Sequence, residues 1–343
     1  MRKVIVVRPG STRALTLETA PDPTPRSDEV CVEVRAAGVN FADLVVRMGL
    51  YKSAKEYVGW PIVPGFEVSG VVREVGAQVT AYRPGDRVIG VTRFGGYVSQ
   101  LCLRENQLQR LPEGMSFVQG ATFPVVFLTA WYALHELSRL RPGRVVLVHS
   151  AAGGVGSALV SLAKRAGCRV IGVVGSAHKV AAVTELGADV VIDKSREALW
   201  PAVERAAPDG CHVVLDANGS ETLRQSYAHL RPTGRVIAYG FHGFLRRGHD
   251  RLPIWRALVS LLTVPRFNPL EMVDKNRGVL AFNLSYLFDE LELLGEGMTD
   301  LLAALARGEI KLPQITEVPF EEVAEAHRLL HSGNTIGKVA LVL

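Results

Sequence analysis

The chain has 343 residues, 48% of them hydrophobic and 21% charged, with a net charge of +5. At roughly 100 to 200 residues per domain this length suggests two domains with sizeable cores, and the absence of low-complexity tracts and internal repeats excludes disordered scaffolds and solenoids. The positive charge is carried mainly by arginine spread along the chain, so by itself it selects neither nucleic acid, anionic lipid nor an anionic cofactor.

Taken from the start, Val4-Ile5-Val6-Val7 reads as a first strand stopped by Arg8-Pro9-Gly10, too short for a signal peptide. Up to about Leu111 the text is short alternating or β-branched runs, such as Val30 to Val34, Val68 to Val72 and Arg87 to Val91. Turns at Pro84-Gly85-Asp86 and Phe94-Gly95-Gly96 separate them, because proline presets φ and glycine accepts positive φ. That rhythm predicts an all-β, partly open barrel. From about Thr122 it changes: a helix around Thr129 to Leu140 precedes nearly all-apolar strands at Val145–His149, Val170–Val174, Val190–Asp193, Val213–Asp216 and Val236–Tyr239. Apolar strands alternating with amphipathic segments predict a doubly wound parallel sheet, giving an α/β fold class. A sixth strand is expected at Val279–Phe282, then a helix at Leu301–Arg307 and a final strand at Val339–Leu343 that rejoins the barrel. The expected domains are 1–121 with 285–343 for the barrel, and 122–284 for the inserted α/β unit. No apolar stretch reaches the roughly 18 to 20 residues of a membrane-spanning helix. Cys31, Cys102, Cys168 and Cys211 are widely spaced, with no C-x-x-C pair; each is expected to be a small core residue in a protein of the reducing cytoplasm.

The strongest chemical signal is Val145 to Ser150 followed by Ala151-Ala152-Gly153-Gly154-Val155-Gly156 and an apolar helical stripe. Strand, glycine turn and helix stand in the order of a dinucleotide-binding fingerprint, with Ala151 in the first glycine position. Gly153 lets a pyrophosphate approach the backbone, Gly156 permits close helix packing, and the helix N-terminus favours the anion. Where an NAD-selective site places an acid, this chain reads Val174-Gly175-Ser176-Ala177-His178-Lys179. Ser176 as donor and Lys179 as cation suit a 2′-phosphate, which selects NADPH, the alternative being that Lys179 is a solvated helix residue.

Several further motifs carry a resemblance: Ala36-Ala37-Gly38-Val39-Asn40-Phe41-Ala42-Asp43, Val63-Pro64-Gly65-Phe66-Glu67-Val68-Ser69-Gly70, Pro84 to Val88, Leu128-Thr129-Ala130-Trp131 and Gly337-Lys338-Val339. Together with the glycine loop they resemble the medium-chain dehydrogenase/reductase superfamily over essentially the whole chain, in its zinc-free quinone oxidoreductase branch. The C-terminal half is most similar to the vesicle amine transport protein group of that branch. The resemblance implies a GroES-like barrel domain, an inserted Rossmann domain, a substrate cleft between them and a homodimer built across the Val279–Phe282 strand. Zinc relatives place a cysteine and a histidine ligand where this chain has Asn40 and Phe66, and the closely spaced structural-zinc cysteines are absent between Arg93 and Asn106. No metal is expected, since neither residue supplies a thiolate or imidazole and the histidines form no ligand cluster.

Without a metal or a visible nucleophile and base, the chemistry expected is hydride transfer from NADPH to a quinone or to the β-carbon of an α,β-unsaturated carbonyl. Asn40 is the candidate donor to the substrate carbonyl, or else satisfies its own loop. Tyr51 is the candidate proton donor to the enolate, or else surface packing. Thr129 resembles the position near the nicotinamide. Asn218, Gly240 and Phe241 follow the fourth and fifth parallel strands, whose carboxyl ends line the crevice. Asn334 and Lys338 are placed near the cofactor by resemblance, with Glu67 expected to be held by a cation such as Lys338. Val45 stands where quinone reductases often carry a tyrosine, and Lys194 where many relatives show one that contacts the cofactor.

Phe244 to Arg266 mixes five arginines with Leu252, Ile254, Trp255, Leu258 and Leu261. It reads as a lid or dimer-packing helix, with a basic surface resting on anionic membrane as the alternative. The rival to the enzyme is accordingly an NADPH-binding protein acting mainly at a membrane surface or on a partner. Nucleic-acid binding is not expected, because no aromatic-interleaved basic strand or recognition helix occurs.

Overall fold

The computed structural model describes residues 1–241, 243 and 263–343. Most of the arginine-rich segment, residues 244–262, therefore lies outside the described residues. Among the described residues the chain-order strands are β1 (Arg2–Val6), β2 (Leu15–Thr19), β3 (Glu29–Val39), β4 (Glu67–Val75), β5 (Arg87–Val91), β6 (Gln100–Arg104) and β7 (Leu108–Arg110). They continue with β8 (Val145–Val148), β9 (Arg169–Val174), β10 (Val190–Asp193), β11 (Cys211–Asp216), β12 (Leu230–Ala238), β13 (Gly278–Ala281), β14 (Ile315–Pro319) and β15 (Lys338–Val342).

One sheet runs in the order β14-β15-β3-β4-β5-β7, with β6 also on β3, and β1 pairs with β2 in a separate ribbon. β3 organises it. Val32, Val34, Ala37 and Val39 point into a core shared with Val68, Val72, Val88, Tyr97, Leu103, Val339 and Leu341. Irregularities at Cys31/Val32 and Val34/Ala36 bend the strand, so one edge serves β6 over Glu29–Glu33 and β15 over Ala36–Val39. β15 thus sews the C-terminal region into the N-terminal sheet, as expected from the final apolar run.

The second sheet is parallel throughout, in the order β10-β9-β8-β11-β12-β13. Its central strands are buried on both faces, which is why they read as unbroken apolar runs. The order reverses between β8 and β11, so the crevice for a ligand opens at their carboxyl ends.

The helices that matter to the site are α1 (Phe41–Arg47), α2 (Lys52–Tyr57), α3 (Phe117–Thr122), α4 (Pro124–Trp131) and α5 (Gly154–Arg165). The helix expected from Thr129 starts earlier, at Pro124, where proline lacks only an N–H that a first turn leaves free. It then widens into a π-helical turn over Tyr132–Ser138 that ends on Arg139 at a φ of 49°. The helix expected at Leu301 begins at Leu291, and its Leu294, Met298 and Leu301 share a core with Leu128, Trp131 and Leu159. Gly297 allows that approach: a Cβ there would lie 2.9 Å from the Trp131 ring. No described helix is long and apolar enough to cross a membrane.

Candidate functional site

Asn40 leaves the end of β3 in extended conformation and caps α1, its backbone N–H donating to Asp43 Oδ2 at 2.8 Å. Its side chain is 7% exposed and both ends are engaged: Nδ2 donates to Glu67 Oε1 at 2.8 Å, while Oδ1 accepts from Lys338 Nζ at 2.7 Å. Lys338, 3% exposed, also donates to Glu67 Oε1 at 2.8 Å and to the Val39 carbonyl at 3.0 Å. Glu67 is 0% exposed and takes a third donor, the Val125 N–H of α4, on its other oxygen at 2.8 Å. A buried carboxylate with three donors, one of them an ammonium, is well compensated, as a buried charge must be. Gly38 makes room for it, since a Cβ there would come within 2.3 Å of Glu67 Oε1.

Asp43 was not singled out in the sequence, although Asn-x-x-Asp spacing at a helix start is a capping signal. Its Oδ1 accepts from the Gly65 N–H at 2.8 Å, and it shares a hydrogen bond with Tyr97. Burial without a full counter-charge pushes its carboxyl up to about 7.

The glycine loop lies at the carboxyl end of β8. Ser150 holds a φ of 53°, Gly153 N donates to Ser150 O at 2.9 Å, and Gly153 precedes α5 without any capping side chain. The first-turn N–H groups of a helix have no intrahelical acceptor, so those of Gly154, Val155 and Gly156 at the start of α5 are of the kind an anion can use. Glycine is required twice: a Cβ on Gly156 would meet Ser150 O at 2.2 Å, and one on Gly154 would meet the Lys338 Cδ at 2.7 Å. Ala151 is buried beneath the loop with its N–H on Val173 O, whereas Val155 is half-buried at the helix start. Gly337 N donates to Ala152 O at 2.7 Å, stitching the loop to β15.

Ser150 Oγ donates to Asn218 Oδ1 at 3.1 Å, and Asn218 is held in turn by its own N–H on Asp216 Oδ1 at 2.9 Å. Asp216 also accepts from Gly219, Thr222 and Ser226, and Ser226 Oγ lies 3.1 Å from His149 Nε2. This buried polar knot below Asn218 had no local signal in the sequence. Gly240 is half-buried, and Phe241, 38% exposed, lies across Gly219.

Ser176, half-buried, opens the turn after β9. Lys179 is buried and its ammonium donates to the Gly333 carbonyl, while His178 Nε2 is 3.1 Å from the Asn334 carbonyl. The structure therefore brings Ser176, Lys179 and Asn334 together, and Lys179 is a buried tether instead of a solvated residue.

Tyr51 precedes α2, half-buried, with Phe66 and Phe94 edge-on at 6.0 and 6.4 Å. Its hydroxyl donates to Asn283 Oδ1 at 2.8 Å, and burial pushes the phenol above its ordinary range. Ser53 and Ser285 are hydrogen-bonded beside it at 2.9 Å, so the α2 segment and residues 283–285 clasp each other. Thr129 is buried in α4 with its hydroxyl on Val125 O at 2.6 Å, one turn from the amide that binds Glu67. Phe66, at the place of a histidine ligand in zinc relatives, packs against Phe94 with centroids 5.2 Å apart. Among the described residues no cluster of three or more His, Cys, Asp or Glu is placed to hold a metal. Val45 is half-buried in α1, and Lys194 is exposed.

Residues 26–134 match the alcohol dehydrogenase GroES-like domain family, and residues 154–265 match the zinc-binding dehydrogenase family. The chain is 34% identical over 346 aligned positions to the synaptic vesicle membrane protein VAT-1 homolog of Rattus norvegicus, covering all of this chain and 84% of that protein. The Danio rerio counterpart, also 34% identical, is spanned over 65% of its own length. Among solved structures, Escherichia coli quinone oxidoreductase complexed with NADPH superposes with a TM-score of 0.86 at 27% identity, all of each chain being covered. The CurK enoyl reductase gives 0.83 at 28%, covering 99% of this chain and 98% of that one.

Proposed function

Because the chain belongs to the medium-chain dehydrogenase/reductase superfamily, near its VAT-1 group, we propose that it is an NADPH-dependent, zinc-independent oxidoreductase acting on a quinone or an α,β-unsaturated carbonyl. The cradle of N–H groups at the start of α5, where Gly154 and Gly156 leave no room for a Cβ, fits a dinucleotide pyrophosphate. NADPH, when bound, supplies the hydride. Ser176 and Lys179 would receive the 2′-phosphate, which for Lys179 requires turning its ammonium from the Gly333 carbonyl, Asn334 would close that end, and Asn218, Gly240 and Phe241 would flank the nicotinamide. Resemblance to an NADPH-complexed quinone oxidoreductase and to an enoyl reductase supports both the cofactor and the acceptor class.

Asn40 orients the acceptor. Its amide has two hydrogens and spends one on Glu67, leaving the second for a substrate oxygen as negative charge develops there. The observation that carries the reading is that Lys338 pins Asn40 while its stem crosses Gly154, so the oxyanion donor and the nucleotide cradle share one support. With Asn40 and Phe66 in the two ligand places, the reaction needs no zinc. Tyr51 or water protonates the enolate carbon, and for Tyr51 this requires releasing Asn283.

Titrating NADPH and NADH into metal-free protein, then following nicotinamide oxidation with a panel of quinones and enones, tests the proposal. Turnover with NADPH is expected, and Asn40→Ala is expected to cut kcat by about 100-fold with little change in NADPH affinity. Tight NADPH binding without turnover on any acceptor would favour the rival, a nucleotide-binding protein acting at a membrane or on a partner. We also assign a homodimer: among the described residues β13 pairs on one edge only, with Leu280 37% exposed, so a second copy extends the sheet there.

A further inference from the structure

Cys31, Cys168 and Cys211 are core residues, as expected, whereas Cys102 is only partly buried. Cys31 of β3 and Cys102 of β6 are directly opposed in the antiparallel register. Such residues project from one face with Cα atoms about 4.5 to 5.5 Å apart, inside the span of about 4.4 to 6.8 Å that a disulfide bridges. The two thiols are close enough to act on one another. They differ in access: Cys31 is fully buried, with Sγ 3.7 Å from the Pro23 carbonyl, whereas Cys102 is partly exposed. Cys168 and Cys211 are both buried, and neither lies opposite another cysteine in the strand registers.

We propose that Cys31 and Cys102 form a dithiol modification site that exchanges with a small disulfide, entering at Cys102 and closing on Cys31. The Cys102 thiolate attacks the disulfide, one thiolate leaves, and a mixed disulfide forms at Cys102. The Cys31 thiolate then attacks Cys102 Sγ and expels the second thiolate. Two protein thiols are oxidised to one disulfide, the reagent disulfide is reduced to two thiols, and the two protons pass from the protein thiols to the leaving groups. The bond would close a loop over residues 32–101, which contains Asn40, Tyr51 and Glu67, and thereby tether the substrate side of the cleft. It does not depend on the hydride-transfer reading.

Burial and the adjacent thiol push Cys102 up to about 12, so the thiolate is scarce at neutral pH and the exchange rate should rise about tenfold per pH unit below that value. The folded protein is incubated with oxidised glutathione, quenched in acid, unfolded, alkylated and analysed by mass spectrometry. Wild type should lose two hydrogens, yield a Cys31–Cys102 linked peptide and leave two of its four cysteines alkylatable. Cys31→Ala should accumulate glutathione on Cys102, and Cys102→Ala should resist modification at Cys31. Four alkylatable cysteines persisting at about pH 9, a stable mixed disulfide in wild type, or a link through Cys168 or Cys211 would each overturn the proposal.

Discussion

Replacing Lys338 with methionine should be among the most damaging conservative changes in the protein. The ammonium satisfies Asn40 Oδ1, Glu67 Oε1 and the Val39 carbonyl at once, in surroundings where all three side chains are buried. Its removal leaves Glu67 with two amide donors and no counter-charge, and breaking a buried pair from one side costs about 3–5 kcal/mol. Glu67→Gln orphans the ammonium and should cost a similar amount. In the double variant neither charge remains, so the loss should fall to about 1–2 kcal/mol, a coupling of at least ~4 kcal/mol between residues 271 apart in sequence. Urea unfolding of wild type, both single variants and the double variant, followed by two spectroscopic probes to check two-state behaviour, measures the cycle. A single-variant loss below about 1 kcal/mol, or a double-variant loss equal to the sum of the singles, would refute the claim that this pair is buried and mutually dependent.

Asp43 makes stability depend on pH. Its folded pKa is raised from 3.8 to about 7, so the native state holds the proton more tightly. The resulting stabilisation is complete below about pH 4 and is lost as pH rises through 7, by up to about 4 kcal/mol. Asp43→Asn should flatten that slope between pH 4 and 7 in denaturant titrations, and an unchanged slope would assign it to another group. Lys179→Glu should weaken NADPH at least tenfold relative to NADH in equilibrium titrations, because a carboxylate would then face the 2′-phosphate; an unaltered preference would move the phosphate site elsewhere. Tyr51→Phe removes the hydroxyl bond to Asn283 and should cost about 0.5–1.5 kcal/mol of stability. If Tyr51 also donates the proton, the variant loses kcat on enones and its pH profile changes, whereas a purely structural tyrosine would leave that profile intact.

What was legible in the sequence is what short-range pattern dictates. Parallel strands buried on both faces must be apolar throughout, and a nucleotide turn needs glycine where a Cβ would strike Ser150 O, so both could be read locally. The link between Glu67 and Lys338 was reachable only through resemblance, since nothing local connects residues so far apart. Tyr51 and Asn283, or Cys31 and Cys102, meet through domain packing and strand register, and register depends on bulges that leave no reliable trace in the text. The π-helical turn after Trp131 was likewise invisible, because its residues have ordinary helical preferences.

The place of β15 also has a consequence for biogenesis. Val339 pairs with Val39, 300 positions earlier, while the parallel sheet is assembled from the continuous stretch between β8 and β13. At roughly 5–20 residues per second the ribosome needs roughly 15–60 s to travel from one partner to the other. During that interval the nascent α/β unit can fold, yet the β3 edge from Ala36 to Val39 waits without its neighbour. An unsatisfied apolar strand edge is a template for pairing with other chains. Chaperone shielding of the nascent barrel, more than any feature of the finished molecule, should therefore set the yield of soluble protein.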